Sequence, residues 1–441
     1  MSTDARPRWA TATTAGALAL ALSAAVPPSA SAIPRFAART GGDCIQCHVN
    51  PGGGGVRNSY GRNIFERAWL PMFSRTAPTS PLPLDLSDAQ LQTIENDATA
   101  GDSGPTPLDF SGDLTDWLAV GADFRMAYLW IAPDRGVEPG TDPSITSSLF
   151  LMEAYLYLDA QVHQNVRLVL QLGPYQGFEA WALYRADASD DATFNLFVKA
   201  GHFFPTFGIR EASHQLFTRQ EVGLGNADRD TGVELTGYAG PVTLTVAVLN
   251  GTLAGPAFDT FGADRRTFEK ALVARLSARA SLPWVRAQLG ASFALNENVD
   301  QASPLFASGL ANLDATGVAH GLNELRFGGF ATASIGPFTY LADVVIVRDN
   351  FYAPEVPTFV GYATYQELGW VVTQGLDVVA TLEFMDTNVD LAGQTATRTG
   401  LVVEFFPWPF TEMRAMLRRM ESDVSVTGGA WDLSLQAHVF L

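Results

Sequence analysis

The two cysteines of this chain are the residues whose type and spacing most clearly suggest chemistry. They are Cys44 and Cys47, and His48 follows the second directly. The pattern Cys-x-x-Cys-His is typical of a c-type haem attachment site. Two thiols on one short turn can each add to a vinyl group of the porphyrin, and the adjacent imidazole can ligate the iron as its proximal ligand. The pattern therefore predicts one covalently bound haem c.

Two other uses of the cysteine pair stay open from the sequence. In an exported protein Cys44 and Cys47 can form a disulfide or a redox-active Cys-x-x-Cys pair. A redox motif of the thioredoxin type needs a β-α-β context, and the residues that follow do not have that pattern.

Charged and glycine residues after the motif suit a haem environment. Gly52 to Gly55 permit positive φ and a close approach of backbone to a flat ligand. Arg57 and Arg62 can pair with haem propionates, because a guanidinium forms charge-assisted bonds to carboxylates. Solvated arginines are an equally good interpretation. Asn63 to Leu70 is expected to form a short helix that ends before Pro71.

The N-terminus predicts export. Arg6 and Arg8 precede an apolar run from Ala15 to Val26, and Ala30-Ser31-Ala32 is a small-residue cleavage site, so residues 1–32 are a predicted signal peptide. A haem segment is predicted over 33–79. A linker rich in proline, glycine and acidic residues follows over 80–108. The remainder, 109–441, has a different character.

Residues 109–441 alternate between apolar and other side chains with a period of two, which is typical of β-strands. In the last such segment Leu433, Leu435 and Val439 share one face and His438 lies on the other. Strands are predicted at 111–130, 146–163, 166–173, 176–186, 193–204, 230–239, 241–250, 266–281, 283–295, 321–335, 337–349, 358–373, 375–387, 397–407, 409–421 and 430–441.

The connections between these strands alternate between very short turns and long loops. About sixteen strands joined in this way are the signature of a bacterial outer-membrane barrel with its short turns in the periplasm. The predicted fold class is therefore all-β, a transmembrane antiparallel β-barrel with a small irregular or helical N-terminal haem segment. Closure removes the free strand edges of so large a sheet.

Three residues are candidates for the distal iron ligand. Met72 is the nearest in sequence, and methionine opposite histidine is the cytochrome c arrangement; packing beside Leu70 and Phe73 is its ordinary alternative. By strand parity His163 and His438 face inward near the short-turn mouth, where the N-terminal segment must also enter. We therefore expect that this segment caps or partly plugs the mouth.

The long loop 205–229 has the length and position of a loop that folds inward and narrows a porin lumen. Its charged residues of both signs would set a transverse field for solutes. They are Arg210, Glu211, His214, Arg219, Glu221 and Arg229. An exposed loop is the alternative.

Two stretches resemble known families. Lys199 to Arg210 resembles the strand-to-loop segment of porins related to the phosphate-selective type; because that family's phosphate path relies on lysines and this chain has only Lys199 and Lys270, anion selectivity is not carried over. Cys44 to Arg62 is similar to the haem segment of proteobacterial fusions that join such a module to an outer-membrane barrel, which resemble porin–cytochrome components. The second resemblance implies electron transfer.

Several functional classes are disfavoured. A net charge of −18 makes a nucleic-acid partner improbable, and no catalytic constellation such as Gly-x-Ser-x-Gly or His-Glu-x-x-His occurs, so an enzyme is not expected.

The sequence therefore favours an outer-membrane protein that takes part in electron transfer at or across the membrane, with its haem segment on the periplasmic side. Outer-membrane lipid, periplasmic or outer-surface cytochromes and small solutes are the expected partners, and a homotrimer is possible. The alternative is a diffusion porin whose haem segment is a plug or redox gate.

Overall fold

A computed structural model describes residues 34–73, 112–136, 144–173, 178–186, 194–211, 215–219, 222, 224, 229–251, 270–282, 284–298, 322–351, 358–425 and 428–441. The predicted signal peptide at 1–32 and linker at 80–108 lie outside these described residues.

The described strands form one closed antiparallel barrel. They are β1 (Asp113–Thr115), β2 (Leu118–Pro133), β3 (Thr146–His163), β4 (Val166–Leu172), β5 (Glu179–Arg185), β6 (Phe194–Phe203), β7 (Asp230–Ala239), β8 (Val242–Leu249), β9 (Ala271–Ser281), β10 (Arg286–Asn298), β11 (Leu322–Ile335), β12 (Phe338–Phe351), β13 (Phe359–Thr373), β14 (Leu376–Asp386), β15 (Thr395–Phe405), β16 (Thr411–Ser422) and β17 (Gly429–Phe440).

Each strand from β2 to β17 pairs with its neighbours in the chain, and β17 pairs with β2 to close the ring. The sixteen strands of the ring confirm the predicted fold class. The ring has a short-turn end, where β3 to β4, β7 to β8 and similar pairs connect, and a long-loop end.

One predicted strand is divided in the structure. The segment predicted at 111–130 forms β1 and β2, separated by a tight turn at Asp116 and Trp117. The hydroxyl of Thr115 accepts hydrogen bonds from the N–H groups of Trp117 at 3.3 Å and Leu118 at 3.0 Å. This local bonding of a threonine side chain competes with the strand ladder and turns the backbone.

The outer face of the barrel is apolar and its inner face is polar, the reverse of a soluble protein. Leu401 in β15 and Leu417 in β16 point outward and are 52% and 44% exposed. Glu404 and Arg418, on the same two strands, point into the lumen and are buried. Lipid-facing apolar side chains and a polar interior are the arrangement of a membrane barrel.

The N-terminal segment contains three short helical elements. These are α1 (Pro34–Thr40), a 3₁₀ turn (Cys44–Gln46) and a π-helix (Tyr60–Trp69). The helix predicted over 63–70 thus starts at Tyr60 and has the wider winding of a π-helix. The N–H of Leu70 accordingly donates to the carbonyl of Phe65, five residues earlier, at 2.9 Å. Across the ranges that the structure describes, no helix is long and apolar enough to cross a membrane.

Residues 34–73, called the plug below, lie inside the barrel. Arg35 is 1% exposed and contacts Glu367 on β13 at 2.7 Å and Glu404 on β15. Arg39 donates to Asp377 on β14 at 2.8 Å. These lumen carboxylates therefore neutralise two arginines of the plug.

The plug enters and leaves at the short-turn end. Its last residues, Met72 and Phe73, donate backbone hydrogen bonds to the carbonyls of Phe406 at 2.8 Å and Pro407 at 3.0 Å, beside the turn between β15 and β16. Deeper in the lumen, the Asn50 side chain accepts a bond from Lys199 on β6 at 3.1 Å. The plug therefore fills the lumen from the short-turn mouth inward.

Candidate functional site

The Cys-x-x-Cys-His motif forms one tight turn of the plug. The backbone N–H groups of Cys47 and His48 both bond the carbonyl of Cys44, at 3.2 and 3.0 Å. This folding brings Cys44, Cys47 and His48 to the wall of a single cavity. Both cysteines are free thiols.

A glycine loop returns the chain past the motif. Gly53, Gly54 and Gly55 have φ values of 82°, 73° and 64°, which glycine adopts at little cost. A Cβ at Gly54 would lie 2.7 Å from the Arg210 guanidinium carbon. The glycines thus let the plug lie against the long loop 205–229, called the inward loop below. Gly52 lines the cavity.

The helix that follows packs directly on the motif. A Cβ at Gly61 would lie 2.3 Å from the Cys47 carbonyl oxygen, closer than real side chains approach backbone. The π-helix can therefore rest on the motif because position 61 is glycine.

The cavity lies between the plug, the inward loop and the barrel wall. It contains about 1390 Å³ of space not filled by protein atoms, including the part that opens to solvent. Its apolar side includes Phe36 and Phe65 of the plug and Phe406 of the wall, with ring centroids 5.1 Å (Phe36–Phe65) and 5.8 Å (Phe36–Phe406) apart. Apolar walls with a few convergent polar groups are typical of cofactor pockets.

His48 has one buried ring nitrogen that is unpaired. The residue is 8% exposed, and among the described residues its Nδ1 has no hydrogen-bond partner. Burial, together with the nearby cations Arg57 and Arg210, lowers the pKa of His48 to about 3. The imidazole is therefore neutral at physiological pH and keeps a lone pair for a metal ion.

Burial also affects the two thiols. It raises the pKa of Cys44 and of Cys47 above the ordinary range for a thiol, and for Cys47 the nearby Glu66 carboxyl adds to the effect. Because the thiolate is the reactive form, both cysteines are poor nucleophiles once the plug is docked.

The two arginines predicted to face the haem have different positions. Arg57 lines the cavity, forms an ion pair with Glu66 and lies 4.7 Å over the Phe440 ring. Arg62 instead donates to the Arg57 carbonyl at 2.7 Å and to Asp113 of β1. Arg62 therefore fastens the plug to the start of the barrel, away from the cavity wall.

The three predicted distal ligands are not brought to an open iron position. His438 lines the cavity, but its Nε2 lies 2.5 Å from Asp123 and its Nδ1 lies 2.8 Å from Glu412, so its ring nitrogens face these carboxylates of the barrel wall. His163 is exposed at its turn and accepts the Asn165 N–H at 3.2 Å.

Met72 lies at the exit of the plug, close to Gly375. A Cβ added at Gly375 would lie 2.7 Å from the Met72 Cβ. Neither Met72 nor His163 is part of the cavity wall. Strand parity predicted the direction of His438 correctly, but it could not show that Asp123 and Glu412 lie beside its ring.

The loop predicted to narrow the lumen does fold inward. Arg219 donates to Asp343 of β12 at 2.8 Å, and the backbone N–H of Phe217 donates to Glu383 of β14 at 3.0 Å. Arg210 bonds the Gly53 carbonyl of the plug. His214 and Glu221 lie outside the described residues. The loop therefore covers the plug from the long-loop side.

Several residues of the cavity were not predicted from the sequence. Arg125 and Arg275 reach it from β2 and β9, and Phe36 reaches it from α1. The alternation of side chains along a strand could have predicted that the two arginines point into the lumen. It does not specify how deep into the lumen the plug reaches.

Comparison with solved structures identifies the fold. OprB of Pseudomonas putida has a TM-score of 0.52 and 9% identity, over 74% of this chain and 94% of that one. The anion-selective porin of Comamonas acidovorans has a TM-score of 0.52 and 8% identity, over 74% of this chain and 99% of that one. At such identities the likeness shows the fold alone, which is that of outer-membrane porins. No family model matches the chain, and no curated protein is similar in sequence.

Proposed function

We propose that this chain is an outer-membrane channel of the porin type whose lumen is closed at its short-turn end by its own haem-bearing plug. The observation that carries this proposal is the position of residues 34–73 inside the barrel, with Arg35 and Arg39 paired to wall carboxylates. The plug then decides whether solutes pass, and the short-turn end faces the periplasm.

The residues around the cavity fit a covalently attached haem c. Cys44 and Cys47 would hold it by thioether bonds, and His48 would ligate its iron. Arg57, which is paired with Glu66, supplies a guanidinium at the cavity wall, and Phe36 and Phe65 supply apolar contacts. When bound, the group supplies a one-electron redox change. The plug would then carry a charge that depends on redox state.

A second candidate function, electron transfer at the outer membrane, is favoured by the position of the motif on the wall of a lumen cavity. One haem near one mouth cannot cross an apolar band about 25 Å tall. This function therefore requires partner cytochromes, either in the periplasm or at the outer surface.

Conductance in planar bilayers distinguishes the two functions. A gated channel shows a conductance that differs between the oxidised and reduced protein. Unchanged low conductance in both states, together with co-purifying cytochromes, would support electron transfer instead. Chemical crosslinking in membranes would test for a homotrimer.

Membrane embedding gives a prediction for stability. Leu401 lies at the middle of β15 on the outward face. Leu401→Arg is expected to destabilise the barrel by about 2–4 kcal/mol, because the charge faces the middle of the lipid layer. The matched change Leu391→Arg, in the exposed loop after β14, is expected to cost about 0–1 kcal/mol. Urea unfolding in lipid vesicles measures both, and equal costs would contradict membrane embedding.

A further inference from the structure

A cluster of buried ionisable side chains lies where the barrel closes. Asp123 of β2, Glu153 of β3 and His438 of β17 all point into the lumen and are 2%, 1% and 5% exposed. One ligand atom from each lies within 4.8 Å of the other two. The pairing of β17 with β2 and of β2 with β3 fixes this arrangement.

Glu153 lacks the hydrogen bonds that a buried carboxylate needs. Within the part of the chain that the structure describes, neither of its oxygens accepts a well-formed hydrogen bond. Its cationic neighbour is Arg125, whose Nε lies 3.4 Å from Glu153 Oε2. A buried carboxylate with so few bonds is costly, and a cation bound between Glu153 and Asp123 would lower that cost.

His438 is held between two carboxylates, an arrangement that could also orient a metal-ligating imidazole. Its Nδ1 lies 2.8 Å from a Glu412 oxygen, and its Nε2 lies 2.5 Å from Asp123. In metal sites one ring nitrogen commonly bonds a carboxylate, which fixes the ring, while the other nitrogen ligates the ion. Glu412 would hold the ring, and Nε2 would face the ion between Asp123 and Glu153.

The charge of the cluster is not balanced within the cluster. In the absence of an ion, a protonated His438 between Asp123 and Glu412 adds to the positive charge of Arg125. A metal ligand must be a neutral imidazole; with that ring neutral, Asp123, Glu153 and Glu412 carry three negative charges against the one positive charge of Arg125, whose Nη2 lies 3.1 Å from His438 Nδ1. The next cation, Arg57, has its own ion pair with Glu66. A divalent cation would neutralise the remaining two charges, which are expensive to bury uncompensated.

We propose that Asp123, Glu153 and His438 bind one divalent transition-metal cation, with Glu412 as a positioning residue. One imidazole nitrogen and carboxylate oxygens are a donor set for ions such as Zn²⁺. The proposal does not depend on the haem. Because Arg125, Glu412 and His438 line the cavity that also contains His48, the ion would lie on the wall of that cavity.

Calorimetric titration of the full-length protein with Zn²⁺ tests this site. We expect one saturable Zn²⁺ per chain. Glu153→Gln, which keeps the side-chain shape, should weaken binding about 100-fold or more, and Glu412→Gln about 10–100-fold, the range for loss of an orienting partner. Glu383→Gln is the matched control, since Glu383 is also a buried lumen carboxylate, paired with Arg398; it should leave affinity unchanged.

The same titration in a Cys44→Ala/Cys47→Ala background separates this site from the thiols. Binding that persists there and is lost with Glu153→Gln supports the proposal whether or not haem is attached. The absence of saturable binding to folded wild type would overturn it, as would equal affinities of Glu153→Gln and wild type. The cluster would then have only a structural role, as hydrogen bonds and ion pairs that join the strands where the barrel closes.

Discussion

The double variant Cys44→Ala/Cys47→Ala is expected to lose all covalently bound haem. Both thiols line the cavity and neither is engaged in a disulfide, so each is available for one thioether bond. Protein purified from outer membranes and fully denatured should give a haem-stained band of the right mass for wild type. The double variant should give an unstained band, a complete loss rather than a partial one.

Met72→Ala is the control for this experiment. Met72 lies at the exit of the plug, beside Phe406, and is not part of the cavity wall. We therefore expect its stained band and its reduced-minus-oxidised spectrum to match wild type. His438→Ala should likewise keep the covalent stain. If wild type itself gives no stained band, the protein carries no covalent haem, and Cys44 and Cys47 are best explained as a disulfide or redox pair.

Arg35→Ala/Arg39→Ala is expected to open the channel. In the docked plug Arg35 pairs with Glu367 and Glu404, and Arg39 pairs with Asp377. Removing one side of a buried ion pair costs about 3–5 kcal/mol, because the partner charge stays buried alone. Docking should therefore weaken by about 100-fold or more, at roughly 1.4 kcal/mol per factor of ten. Single-channel conductance should rise from a mostly closed to a mostly open level.

Arg419→Ala is the matched control, because Arg419 forms an ion pair with Asp134 at 2.6 Å at the long-loop end of the barrel, where both side chains are partly exposed. Its conductance should equal that of wild type. A closed channel in the folded Arg35→Ala/Arg39→Ala protein would show that the plug is not held by these pairs. Retained heat-modifiable migration on gels confirms that each variant has a folded barrel.

The barrel was predictable because its strands follow a local rule. Successive side chains of a strand point to opposite faces, so a sequence such as Leu382-Glu383 already states which residue faces lipid and which faces the lumen. The structure has Leu382 exposed and Glu383 buried. The predicted strand limits also agree closely, for example at β3, Thr146–His163. The split between β1 and β2 was missed because a single threonine hydroxyl redirects the backbone there.

The candidate site was predictable only in part, since its chemistry is local and its surroundings are not. Cys44, Cys47 and His48 are adjacent in the chain, so their spacing alone indicates haem attachment. The depth of the plug, the cavity and the partners of His438 depend on side chains from distant strands: Arg35 and Glu367 are 332 positions apart in sequence. Strand parity restricts such residues to the lumen, but their depth there depends on the register and closure of the whole barrel, which only the tertiary structure decides.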